Sequence, residues 1–135
     1  MSLAIAQRTK EGIVILDLKG RLVVGEPVAA LREKIRQLAE AGSVNVTLNL
    51  EYVDYIDSTG LGCMVICYTT MQKAGGALKI LNLSRRNIEL LVLTKLSTVF
   101  EVFNDEQDAV NSFFPNREIR KFDILSFVQQ QRDNK

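Results

Sequence analysis

The sequence predicts a single α/β domain with a mixed and mostly parallel sheet, followed by a C-terminal extension. Three observations carry that prediction. From residue 44 onward, strand-like and helix-like stretches alternate three times, the order that parallel strands joined by crossover helices produce. Ahead of them lie two β-rich runs separated by Glu11 and Gly12, which suit an antiparallel hairpin at one edge of the sheet. The chain has 135 residues, 47% apolar and 24% charged, which is enough for one core.

The elements follow in order. "LAIAQRT" (3–9) and "IVILDL" (13–18) form the N-terminal hairpin, and Gly20 and Gly25 flank "RLVV", a short piece that extends the sheet. "GEPVAALREKIRQLAEAG" is a helix: Pro27 suits its first turn, Val28, Leu31, Ile35 and Leu38 form one stripe, and Gly42 suits the exit. Glu33 and Glu40 face Lys34 and Arg36 on its solvated side. "VNVTLNL" (44–50) alternates, with Val44, Val46, Leu48 and Leu50 on one face and Asn45, Thr47 and Asn49 on the other, so one face is expected to be buried more deeply.

"GLGCMVICYTTMQKAGG" reads as a helix apolar nearly all round until Thr69, which must be covered on most sides; Gly75 and Gly76 end it. "ALKIL" is the next strand, and Ser84 caps a helix through "RRNIELLVLTK". "VFEVF" (99–103) is a short strand, and Asp105 opens a last helix, "EQDAVNSFF", stopped by Pro115. The domain is therefore read as residues 1–114, with a C-terminal extension over 115–135. In that extension Ile119, Phe122, Ile124, Leu125, Phe127 and Val128 are too apolar for a free tail, whereas "QQQRDNK" is expected to fray. The plainer reading is a helix or strand docked on the domain. The sharper one is an element for partner binding or self-association, as in a homodimer.

Composition excludes several functions. A net charge of +1 with no long basic run argues against direct contact with nucleic acid. No apolar run has the length of a membrane span and the first residues lack a secretory pattern, so no membrane partner is expected and a cytoplasmic location is. Cys63 and Cys67, four apart on one helix, read as buried thiols. Histidine is absent, which removes Ser–His and Cys–His nucleophile pairs and histidine zinc sites. No catalytic residue, metal or cofactor is expected.

The stretch "YIDSTGLG" (55–62) is the candidate site. A strand runs there directly into a helix, so Asp57 or Ser58 stands where exposed N–H groups want an acceptor. Gly60 and Gly62 each cost about 1 kcal/mol of helix propensity relative to alanine, which suggests close approach by a neighbouring chain segment or a partner surface. The stretch lacks the lysine and spacing of a phosphate-binding loop, "GLG" is not GxGxxG, and the aspartyl-protease letters are interrupted by Thr59 with no second copy. A nucleophilic Ser58 would lack a base. There remains the reading that Ser58 accepts a phosphoryl group. That would add a charge of roughly −1.5 to −2. The helix N-terminus would partly stabilise it, and Asp57, Asp54 and Glu51 would sharpen the negative field against a docking partner.

At this point "LNLEYVDYIDSTGLGCMV" resembles the signature of STAS domains, specifically the bacterial anti-sigma factor antagonists: an apolar strand, D-S-[ST]-G-L-G, then a helix. "MSLAIAQRTKEGIVILDLKGRL" is similar to the family's opening hairpin, "GGALKILNLS" to its strand after the motif helix, and "LTKLSTVFEVFNDEQDAV" to its closing strand and helix. The likeness spans residues 3 to 114. It implies that Ser58 is phosphorylated by a partner that is both serine kinase and anti-sigma factor. The unphosphorylated form would bind that partner and free a sigma factor, and a PP2C-type phosphatase would restore the serine. Asp57, Ser58, Thr59, Gly60, Leu61 and Gly62, with Gly25 and Glu26, would then lie at or beside the contact surface. The glycines would let the partner's backbone come close. The family's G-x-L-D pattern reads "GRLV" here, with Val23 in the aspartate's place and Glu26 nearby. That departure keeps an alternative open, a non-phosphorylated STAS scaffold or transport-accessory module. A carboxylate-dependent hydrolase using Asp57 is the rival from another class, and it lacks a second carboxylate in a comparable setting.

Overall fold

The structure, a computed structural model, describes residues 3–119 and 122–133. Among these residues five strands form one sheet in the order β1-β2-β3-β4-β5: β1 (Ala4–Lys10), β2 (Ile13–Leu22), β3 (Asn45–Ile56), β4 (Ala77–Leu81) and β5 (Val102–Phe103). β1 pairs antiparallel with β2, and every later pairing is parallel. The hairpin at the edge and the crossover order are those read from the sequence. Among the described residues five helices accompany the sheet: α1 (Glu26–Glu40), α2 (Ser58–Lys73), α3 (Arg85–Leu93), α4 (Glu106–Asn111) and α5 (Ile124–Asp133).

One face of the sheet carries the main core. Val14, Leu16, Leu18, Val46, Leu48, Leu50, Leu78 and Ile80 meet Leu31, Ile35 and Leu38 of α1, Met64, Cys67 and Met71 of α2, and Ile88 and Leu91 of α3. The apolar stripe expected on α1 is the stripe buried, and Arg36 pairs with Glu33 and Glu40 on the opposite side. The cysteines are buried free thiols 3.9 Å apart. Phe122, Ile124, Phe127 and Val128 also pack against this core, and Phe122 N–H donates to the Val102 carbonyl at 2.9 Å.

The other face differs from the expectation of a more exposed side. Thr47 and Asn49 are buried there, because α4 and the turn after it lie across the sheet. Asn49 is tied to Asp17 (2.8 Å) and to Asn82 (3.2 Å), which satisfies its amide in place of water. The helix opened by Asp105, α4, ends at Asn111 and does not include Phe113 and Phe114; those two rings leave the helix and pack against Ile13, Ile15 and Val110. The final strand likewise shrinks to Val102–Phe103. Residues 97–99 form a turn, and Phe100 folds inward, its ring 5.6 Å from that of Tyr68. β3 instead runs longer than the alternation suggests and carries the chain to Ile56, at the threshold of the motif. α5 continues through part of "QQQRDNK" to Asp133; the rest of that segment lies outside the described residues. Among the described residues no helix is long and apolar enough to cross a membrane.

Candidate functional site

The site lies at the C-terminal ends of β2 and β3, where an open parallel sheet presents its loops. The pairing of β2 with β3 shifts register twice, at Asp17/Lys19 and Gly20/Arg21; each time β3 takes one residue more than β2, so that Arg21 pairs with Tyr55 and Leu22 with Ile56. Leu22 then touches the start of α2 twice. Its carbonyl accepts from Asp57 N–H at 3.3 Å, and the same carbonyl lies where a side chain on Gly60 would be: a Cβ there would stand 2.0 Å from it. The neighbour that Gly60 admits is therefore its own chain.

Asp57 is the N-cap of α2. One carboxylate oxygen accepts from Gly60 N–H at 2.7 Å and the other from Val24 N–H at 3.0 Å. The helix start and the loop before α1 are thus joined through one side chain. The Val24 N–H holds the Asp57 carboxyl below its usual range. Partial burial opposes this, while the Gly60 and Thr59 N–H groups and the Arg21 charge add to the lowering. Gly25, with φ +103, lets the loop turn into α1, a backbone region that favours glycine, and no side chain caps α1. Glu26 is exposed at the first position of α1, and Val23 is half-buried just before.

Once Asp57 has taken the cap, Ser58 is left one residue inside the helix. The expectation of a cap at Asp57 or Ser58 resolves to Asp57 alone. Ser58 and Thr59 are exposed, and neither side chain is hydrogen-bonded to the described residues. Leu61 and Gly60 are buried and point into the fold, so they support the surface from beneath. Gly62 is exposed and a Cβ on it would meet nothing within 4 Å. Nothing among the described residues requires a glycine there. The outer face of α2 continues to Ile66, so the helix is covered on its inner side while one stripe stays open. Val24, Ile66 and Leu93 are large apolar side chains left exposed, at 66%, 46% and 80%.

The charge around Ser58 is more mixed than the acidic neighbours in sequence imply. Arg21 and Arg86 both lie over the Tyr55 ring, 5.0 and 5.4 Å from its centre. Arg86 also lines a groove of about 300 Å³ beside Ser58, with Tyr55, Asp57, Glu89, Leu90 and Leu93. The pattern of residues 84–93 marks a helix but gives no sign that one of its arginines faces the motif. Among the described residues, no group of three or more Cys, Asp or Glu lies together as a metal site would need.

The STAS domain family model matches residues 4–109. The chain is 36% identical over 103 residues to the anti-sigma-B factor antagonist of Bacillus subtilis, covering 76% of this chain and 92% of that one. It is 31% identical over 102 residues to the protein of the same name from Staphylococcus aureus, covering 76% and 94%. In fold it is similar to an anti-sigma factor antagonist from Mycobacterium paratuberculosis (TM-score 0.70, 18% identity, 82% of this chain and 93% of that one). It is also similar to the Bacillus protein SpoIIAA in its phosphorylated form (TM-score 0.64, 21% identity, 81% and 98%). The chain belongs to the STAS domain family.

Proposed function

We propose that this STAS protein is an anti-sigma factor antagonist switched by phosphorylation of Ser58, and not an enzyme. One observation carries the reading: Ser58 presents an exposed hydroxyl with no hydrogen bond to the described residues, because Asp57 caps the helix in its place. A hydroxyl so placed can be modified without removing the contacts that hold α2 to Leu22 and Val24. The names of the curated relatives support an anti-sigma factor as the partner, and the phosphorylated form of SpoIIAA supports the modification.

In this mechanism the unphosphorylated surface is the binding-competent one. Thr59 and Gly62 of α2 offer exposed positions for contact, together with Gly25 and Glu26 at the start of α1, and Val24, Ile66 and Leu93 are exposed on the same domain. Asp57, Gly60 and Leu61 hold that face in place. A partner that is both anti-sigma factor and serine kinase docks there and gives up its sigma factor. The Ser58 hydroxyl oxygen then attacks the γ-phosphorus of that partner's ATP, its proton passes to a base of the kinase, and ADP leaves. The added negative charge, roughly −1.5 to −2, breaks both the fit and the electrostatic match. A PP2C-type phosphatase restores the serine by hydrolysis. The exchange takes place in the cytoplasm.

The test is to incubate the protein with its cognate kinase and ATP, map the modified residue by mass spectrometry, and titrate the kinase with two variants. Ser58→Ala should bind like the unmodified protein and resist release, while Ser58→Asp should bind at least tenfold more weakly. Absence of phosphate on Ser58, or equal affinity for both variants, overturns the reading. Val23, where the family pattern has aspartate, favours a second reading, a STAS scaffold that binds without modification. That reading predicts equal affinities for the two variants.

A further inference from the structure

A phosphate on Ser58 would need stabilising charge, and the helix start is a poor source of it. The N–H groups of Thr59 and Gly60, which an unoccupied N-terminus would turn toward an anion, already interact with the Asp57 carboxylate. Asp57 is itself an anion next in sequence to the modified residue. The groove beside Ser58 supplies an answer. Its charged groups are Asp57, Glu89 and Arg86. Asp57 is held by Val24 and Gly60, and Glu89 pairs with Arg85 at 3.6 Å. Arg86 is exposed and joins no ion pair with the described residues; its guanidinium rests on the Tyr55 ring. Arg21 shares that ring, but it does not line the groove.

We propose that Arg86 is an internal receiver for phosphate on Ser58: it leaves the Tyr55 ring, crosses the groove and forks onto the phosphoryl oxygens, tying the modified start of α2 to α3. A planar guanidinium can donate two N–H groups to one phosphate, which a lysine cannot. The modified form would then be closed by its own α3 as well as made repulsive to a partner. This inference rests on the reading of Ser58 as a phosphorylation site, and it adds what the phosphate does once attached.

The experiment installs phosphoserine at position 58 during translation, so that no kinase is required, and follows its phosphorus resonance by NMR across a pH titration. In the otherwise unaltered chain, the second phosphate ionisation should fall about one unit below the value near 6 of a free phosphoserine. Arg86→Gln should return it to that value, Arg86→Lys should retain part of the shift, and Arg21→Gln should leave it in place. Thermal melting of the same variants without phosphate controls for folding. Phosphorylation should raise the melting temperature of the parent chain and not of Arg86→Gln. An unshifted ionisation in the parent chain, or a shift that survives Arg86→Gln, overturns the proposal. Neither result bears on whether a kinase reaches Ser58, which the binding and mapping experiment decides separately.

Discussion

Two helix starts in this molecule place a serine in nearly the same position and use it differently. At α3, Ser84 is the cap, and its hydroxyl accepts from Asn87 N–H at 3.2 Å. At α2, Asp57 is the cap, and Ser58 stands one residue further in with its hydroxyl in solvent. The lower-lying carboxylate does more than a hydroxyl there, because its two oxygens reach two segments, α2 and the loop before α1. A serine that caps a helix and a serine left exposed thus differ by one position along the helix. The same first turn holds a second contrast. Gly60 is required by the Leu22 carbonyl, whereas Gly62 has open space where its side chain would be.

The glycines offer the largest break in this comparison. Gly60→Ala forces a Cβ against backbone and should destabilise the domain by roughly 3 kcal/mol or more, measured by urea unfolding. Gly62→Ala should instead stabilise it by up to about 1 kcal/mol, because alanine is the better helix former. If the outer face of α2 is the docking surface, the same substitution should weaken partner binding, which calorimetric titration would register. Equal losses of stability for the two variants would undo the distinction between inner and outer glycine.

Removing the cap is the next largest effect. Asp57→Ala should cost about 1–2 kcal/mol at neutral pH, since it frees the N–H groups of Gly60 and Val24 together. The sign with pH follows from the lowered carboxyl. The charged form is favoured by folding, so this contribution is complete above the unfolded value of about 3.9. It is lost as pH falls through the lower folded value. The difference between the parent chain and Asp57→Ala should therefore be flat from pH 7 to about 5 and shrink below about 4. A difference that grows on acidification would mean that Asp57 acts by some route other than its charge.

The two serines give the smallest and most discriminating pair. Ser84→Ala should cost about 1 kcal/mol, the usual loss of a hydroxyl cap. Ser58→Ala should change stability by less than about 0.5 kcal/mol, as for an exposed residue with no partner. If Ser58→Ala proved the more destabilising of the two, the hydroxyl would have a structural task that its exposure does not suggest.

Much of this fold is written locally. The alternation of elements, the α1 stripe of Val28, Leu31, Ile35 and Leu38, the caps Ser84 and Asp105, and the turn after Lys73 all depend on residues near one another in the chain. Side-chain periodicity and capping act over a few residues, so sequence is enough to read them. The junction of strand and helix at Asp57-Ser58 was legible for the same reason. What stayed hidden depends on partners distant in sequence. The burial of Thr47 and Asn49 waits on α4, and the exit of Phe113 and Phe114 from their helix waits on Ile13 and Ile15.

At the site the division is sharper. Sequence alone determined that a strand meets a helix at Asp57-Ser58, that two glycines there need a reason, and that the chain has no histidine to act with them. Tertiary structure alone decided that the reason for Gly60 is Leu22, that Asp57 rather than Ser58 is the cap, and that Arg86 faces the same groove as Ser58. The physical cause is common to all three. Close approach, carboxylate sharing and charge placement are fixed by which strand ends lie side by side, and the parallel pairing of β2 with β3 brings together residues more than thirty positions apart.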